Sequence, residues 1–376
     1  MSYTTIDDPG LYFKAVKYTS NNGSSPRTIS GVGFQPDWVW VKNRSSSDFN
    51  HVLSNSVIGL NTFNNSDTTA AQSTNHAAGF ISSANSDGFV ITAGSSNLSN
   101  YDTGSNKQIA WNWKAGTSFS NDASSTGVGS IDSSGSIDTT AGFAIITYNS
   151  LRTGSIVQTF AHGLGVEPDL LIFKNLTETQ NWLVWTRGVL ATNQHLNLNT
   201  TNNIQTDAGS LNNTAPTSTV ITIGADGRTN STTDGKAHIC YVFKQVQGFS
   251  RFGKYTGNGT SGTAGSVDGP FVYTGFKPAW VLVKRLSGTN QGWYLWDNKR
   301  NGFDPRNFNM EADSTAVEDD GNFRIDLLSN GFKWRVNDSI VNASGVEYLF
   351  ISFAESPFVN SKGVPINASG RAENLD

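Results

Sequence analysis

Gly33-Phe34-Gln35-Pro36-Asp37-Trp38-Val39-Trp40-Val41-Lys42 recurs in altered form as Gly165-Val166-Glu167-Pro168-Asp169-Leu170-Leu171-Ile172-Phe173-Lys174. It recurs again as Gly275-Phe276-Lys277-Pro278-Ala279-Trp280-Val281-Leu282-Val283-Lys284. Proline fixes φ and has no N–H, so it suits the residues just ahead of a strand, and the apolar run behind it has the pattern of a strand covered on both faces. The closing lysine reads as the point where each strand returns to the surface.

Outward from this motif the flanking segments recur in one order. Upstream lies a strand ending in tyrosine: Val16-Lys17-Tyr18-Thr19, Ile146-Thr147-Tyr148-Asn149 and Gly253-Lys254-Tyr255-Thr256. Downstream comes an aromatic segment: Phe49-Asn50-His51-Val52, Asn181-Trp182-Leu183-Val184-Trp185 and Gly292-Trp293-Tyr294-Leu295-Trp296. A later strand follows, Phe89-Val90-Ile91-Thr92, Val220-Ile221-Thr222-Ile223 and Phe332-Lys333-Trp334-Arg335-Val336, with Asp87-Gly88 and Asn330-Gly331 supplying hairpin-type turns. Each copy closes on an alternating strand that puts Trp113, Phe243 and Phe353 at matching places, on one buried face by the two-residue period.

The repeat predicts an all-β chain of tandem antiparallel β-sandwich or jelly-roll-like modules, over 1–116, 117–247 and 248–358, with a loosely held tail over 359–376. A propeller blade needs only ~40–45 residues, far less than this repeat. The Ser- and Gly-rich stretch from Gly116 to Thr140 reads as a linker or as an edge hairpin opening the second module, and Ile131 and Ile137 favour the hairpin. Gly numbers 38 and charged residues make up 15% of the chain, a composition of short strands and polar turns with little helix.

Basic and acidic residues, 26 and 30, are scattered singly, so nucleic acid is not an expected partner. No segment resembles a signal peptide or is long and apolar enough to cross a bilayer, which makes a soluble chain without membrane insertion the expectation. The single cysteine, Cys240, lies in an apolar run and reads as a small buried hydrophobe.

His51, His76, His162, His195 and His238 stand apart, without a second ligand at metal spacing, and His162 reads as a turn histidine. The acidic run Glu311, Asp313, Glu318, Asp319 and Asp320 lacks the alternation of an EF-hand and reads as a solvated loop, with a weak calcium site next in order. The Gly-rich stretch from Thr256 to Gly262 lacks what a phosphate cradle requires and reads as turns. No catalytic residue, metal or cofactor is therefore expected. Of ten tryptophans, Trp182/Trp185 and Trp293/Trp296 sit at i, i+3, which sends the two rings of a pair to opposite faces of a strand. Core packing is the commoner fate of such rings, but Trp293 and Trp296 are the candidates for contact with a sugar.

The segments "QPDWVWVKNRS", "TAGFAIITYNS", "AHGLGVEPDLLIFKN", "FSRFGKYTGNGTSG", "VYTGFKPAWVLVKR" and "YLFISFAESPFV" resemble a family of repeat β-proteins among the virion structural proteins of tailed, mostly marine, bacteriophages. The resemblance covers nearly the whole chain and carries no catalytic signature. It implies a particle component located in the virion: a tail fibre or adsorption protein that binds host-surface glycan or another virion protein. A head decoration protein and a polysaccharide depolymerase are the alternatives. Further copies of the chain are also among the expected partners, and an extended presenter of surfaces is the expected form.

Overall fold

The computed structural model describes residues 4–21, 25–95, 99–151, 156–300, 304–321 and 324–356. The tail expected to be loosely held lies outside the described residues. Among the described residues, helix is confined to one four-residue turn, α1 (Ala123–Thr126), and two short 3-10 segments.

The first module contains β1 (Phe13–Thr19), β2 (Arg27–Ile29), β3 (Trp38–Asn43), β4 (Val52–Asn55), β5 (Phe63–Asn64), β6 (Phe80–Asn85), β7 (Gly88–Thr92) and β8 (Lys107–Trp113). The second has β9 (Thr117–Asn121), β10 (Ser133–Asp138), β11 (Phe143–Asn149), β12 (Gln158–Ala161), β13 (Leu170–Asn175), β14 (Leu183–Thr186), β15 (Gln194–Asn197), β16 (Gln205–Thr206), β17 (Val220–Ile223) and β18 (Ala237–Phe243). The third has β19 (Ser250–Thr256), β20 (Phe271–Tyr273), β21 (Lys277–Arg285), β22 (Trp293–Asp297), β23 (Met310–Glu311), β24 (Ile325–Leu328), β25 (Gly331–Trp334) and β26 (Glu347–Ser356).

Each module is a sandwich of one large and one small antiparallel sheet, and the strand order is the same three times. The large sheets run β1-β8-β3-β4-β5, β11-β18-β13-β14-β15 and β19-β26-β21-β22-β23, and the small ones β2-β7-β6, β12-β17 and β20-β25-β24. The second module extends its large sheet at both edges, with β16 at one end and the β10-β9 hairpin at the other. The hairpin occupies the Gly116 to Thr140 stretch, where Ile137 faces Ala144 and Gly135 lets the strands close.

Register repeats as well: Trp38 faces Trp113, Leu170 faces Phe243, and Trp280 faces Phe353. Pro36, Pro168 and Pro278 therefore stand at equivalent places, two residues before these pairs. In the third copy the strand starts earlier than the sequence pattern predicts, so Pro278 lies inside β21. Register shifts on both sides of it take up the missing N–H. The tyrosine that ends each first strand ties down the loop ahead of the last. Its hydroxyl donates to Tyr101 O from Tyr18 (2.9 Å), to Thr229 O from Tyr148 (2.6 Å) and to Val341 O from Tyr255 (2.8 Å).

The modules do not form an extended array. Their large sheets turn their outer faces toward one another and enclose a common apolar core on a pseudo-threefold axis. Trp113 and Phe353 approach to 5.6 Å between ring centres, Phe243 and Phe353 to 5.6 Å, and Trp38 and Tyr241 stack at 4.4 Å. The void left on this axis is about 10 Å³, walled by tryptophan, phenylalanine, leucine, isoleucine and valine side chains. The extended form failed as an expectation because large sheets with two apolar faces need a cover on each, and the small sheet covers only one.

After β5, β15 and β23 each module sends a loop onto its neighbour, and these loops close the ring. Gln72 N donates to Leu176 O, Ile204 N to Leu286 O and Glu318 N to Arg44 O, so the first module grips the second, the second the third and the third the first. The closing lysines of the repeated motif are buried in these seams, not at the surface. Lys42 Nζ donates to Phe49 O (2.6 Å) and Thr315 O (2.8 Å), Lys174 Nζ to Gln180 O (2.6 Å) and Thr69 O (2.8 Å), and Lys284 Nζ to Thr201 O (2.9 Å) and Gln291 O.

Phe353→Ala is expected to cost about 3–5 kcal/mol, as for other large-to-small core changes. Because the ring touches Phe13, Trp113, Phe243 and Trp280, denaturant curves followed by tryptophan fluorescence and by circular dichroism should shift together as one transition. A first module that unfolds separately at its wild-type midpoint would show that the common core does not couple the modules.

Candidate functional site

Trp293 and Trp296 do point to opposite faces of β22, but both faces are covered. Each ring is 0% exposed. Trp293 lies in the seam with the second module, its Nε1 donating to Asn197 O at 2.8 Å, and Trp296 packs on Trp334 between the sheets of the third. Neither ring is a sugar contact in the folded chain. Trp182 is buried like Trp293, donating to Asn65 O at 2.9 Å, and His51 holds the same place in the first module with Nε2 donating to Glu311 O at 2.9 Å. The aromatic segment of each copy thus supplies a seam donor.

The titratable groups follow the same logic. Burial lowers the seam lysines, to about 8 at Lys42, about 7 at Lys174 and about 8 at Lys284. Lys42 and Lys284 are held up by the neighbouring carboxylates of Asp67 and Asp313. Lys174 has no such support, because Asn199 stands at the matching place, its Oδ1 accepting from Trp182 N at 2.8 Å. Burial raises Asp67 to about 6 and also pushes Asp313 up.

The histidines are structural. His51 is held well below its ordinary value by burial, with Trp40 Nε1 donating to its Nδ1 at 2.8 Å, and burial takes His162, His195 and His238 to about 4. His162 sits in the turn after β12 and is buried there, Nε2 on Thr217 O at 3.1 Å. Cys240 is buried, with its thiol pushed well up and so inert.

In the acidic run of the third module Asp319 and Asp320 are exposed, as the solvated-loop pattern predicts, whereas Glu311, Asp313 and Glu318 are half-buried and divided among different partners. Glu318 forms a two-pronged ion pair with Arg44 (2.7 and 2.9 Å) and meets Arg300, which is itself paired with Asp297 at 2.6 Å. Trp111 Nε1 from the first module donates to the same Asp297 carboxylate at 3.1 Å, so a chain of charges seals the seam between the sequence-distant first and third modules. Glu311 and Asp313 lie close together beside Gly292, and burial and mutual repulsion raise Glu311. This pair lines neither the void in the common core nor the cavity beside the β10-β9 hairpin. Among the described residues no three His, Cys, Asp or Glu side chains converge on a metal-sized site.

A cavity of about 720 Å³ lies where the β10-β9 hairpin leaves the second module. Its two carboxylates serve α1: Asp122 caps the helix by accepting from Ser125 N, and Asp132 accepts from Ala123 N at 2.9 Å. The Ser124 hydroxyl, donating at 2.7 Å, and then the Ser125 backbone N–H hold Asp122 below the usual carboxylate range, the reverse of what a general acid needs.

One surface stands apart. Phe271 and Tyr273, 45% and 57% exposed, project from the edge strand β20 on the side away from the core, while Val272 between them is buried. The sequence does not single them out, because the segment Phe271-Val272-Tyr273 is short and carries no tryptophan. Its alternation flanked by turns was the available signal.

A family model described as a domain of unknown function (DUF7483) matches residues 8–357, across all three modules. The chain belongs to this family. No curated protein and no solved structure matches it.

At about pH 7, Lys174→Met in this DUF7483 protein is expected to cost about 1–3 kcal/mol, since Thr69 O and Gln180 O lose their donor. The unfolded lysine titrates at about 10.4, above its folded value, so between about pH 7 and 10 the unfolded chain binds more protons and stability rises with pH. Lys174→Met should therefore show a smaller rise than wild type in urea titrations over that range. An equal rise would mean that Lys174 keeps an ordinary pKa. Asp67 has the opposite sign: its stabilising contribution is lost as pH rises from about 4 to about 6. Asp67→Asn should accordingly gain stability over wild type above about pH 6 and not below about pH 4.

Proposed function

We propose that the protein is a structural component of a tailed-phage virion, displayed on the particle surface as a tail-fibre or adsorption protein, and that it is not an enzyme. The observation that carries this reading is the use of the repeated polar groups. Lys42, Lys174 and Lys284, with His51, Trp182 and Trp293, all bind backbone carbonyls across module seams. Chemistry retained in three copies and directed inward serves architecture, as expected of a rigid building block. The likeness of the six sequence segments to phage virion proteins supplies the setting, and host glycan or another virion protein supplies the partner.

Head decoration is the second reading, favoured by the pseudo-threefold form, which suits a position where three like subunits meet. Immunogold labelling of purified particles separates the two: label at the tail tip supports adsorption, label over the head supports decoration, and particles free of the protein by mass spectrometry defeat both. The purified protein, incubated with host polysaccharide, should release no reducing ends. Release abolished by Glu311→Gln or Asp313→Asn would establish the depolymerase instead.

A further inference from the structure

We propose that the outer face of the β20-β25-β24 sheet is a carbohydrate-binding site that takes neighbouring pyranose rings on Phe271 and Tyr273. The proposal rests on the adsorption reading and names the site and the ligand class for it.

Residues i and i+2 of a strand share a face and stand about 6.6–6.8 Å apart. On β20 those residues are the two exposed rings, so the strand presents a short aromatic row to solvent. Across from Tyr273 lies Gly331, and a Cβ there would come within 2.1 Å of Val272 O and 2.9 Å of Cε2 and Cζ of Phe271. The Phe271 ring thus occupies the space a side chain at position 331 would take. That contact holds the ring in place before any ligand arrives, and lowers the ordering cost of binding.

The rings are bordered by charge of both signs. Lys333, directly across from Phe271, pairs with Asp268, and Asp326, next across the sheet, pairs with Arg335 at 2.5 Å. Ammonium, guanidinium and carboxylate groups in balanced pairs offer donors and acceptors to hydroxyl groups with no net field to select an anion. A ligand with apolar faces and a hydroxylated rim fits both features, and a pyranose has that form. Two rings fall far short of the roughly 1,000 Å² that a stable protein interface buries, so a second copy of the chain is a poor match.

The feature is also independent of the threefold architecture. The matching positions are Thr28 and Ser30 in the first module and Thr159 and Ala161 in the second, none of them aromatic. Exposed rings present in one copy only have no part in closing the ring of modules.

The test is affinity electrophoresis of the purified full chain through gels containing hydroxyethylcellulose, laminarin or O-polysaccharide released from host lipopolysaccharide. At least one polymer should retard the wild type. Phe271→Ala/Tyr273→Ala should weaken that retardation at least tenfold, with the melting temperature unchanged, and Tyr273→Phe should keep most of it. Tyr273→Ala alone serves if the double variant melts early. Wild-type mobility unchanged in all three gels, or equal retardation of wild type and Ala variants, would overturn the proposal. Because the assay uses protein alone, its failure is separable from failure of the virion reading, which particle labelling decides. Loss of particle incorporation by the double variant with polysaccharide binding intact would assign the face to a virion protein and also defeat the proposal.

Discussion

Three buried lysines set the terms for the rest of the molecule. An ammonium group withdrawn from water is costly unless its hydrogen-bonding capacity is met. Here the acceptors come half from the lysine's own hairpin and half from the neighbouring module's loop: Phe49 and Thr315 for Lys42, Gln180 and Thr69 for Lys174, Gln291 and Thr201 for Lys284. No module can satisfy its lysine alone. The tandem modules are thereby bound into one closed ring, and the apolar outer faces of the large sheets are covered at the same time.

Departures from the threefold pattern show where individual copies have specialised. The third module supplies Asp297, which accepts from Trp111, and the first supplies Asn55, whose Nδ2 donates to Tyr241; the second has the buried Thr186, whose hydroxyl has no hydrogen-bond partner. The seam between the first and third modules must hold without a chain connection, and it carries the Arg44–Glu318–Arg300–Asp297 network. A buried ion network of this kind adds little net stability, because desolvating its charges offsets their mutual attraction. Replacement of the seam carboxylate by Asn199 at the second module leaves Lys174 the most easily deprotonated of the three lysines.

The aromatic content divides in two by location. The tryptophans that made Trp293 and Trp296 sequence candidates for sugar contact serve the seams and the sandwich interior. The most exposed rings among the described residues, Phe271 and Tyr273, stand on a three-residue edge strand of the small sheet. A ring's availability depends on which layers cover its strand, and period-two alternation reports only that two faces exist.

The sequence by itself determined the all-β class, the threefold repeat with its order of strands, the equivalence of Trp113, Phe243 and Phe353, the burial of Cys240 and the hairpin of the second module. These follow from local pattern: alternation, turn residues and the recurrence of segments are properties of neighbours along the chain. Only the tertiary structure decided that the modules close into a ring, that the motif lysines turn inward, that Trp293 and Trp296 lie buried and that Glu318 joins Arg44. Each of those facts depends on a partner far away in sequence, such as Thr315 for Lys42 or Asn197 for Trp293. A strand carries the same pattern whether its second face meets water or another module, and it is burial that separates the two cases.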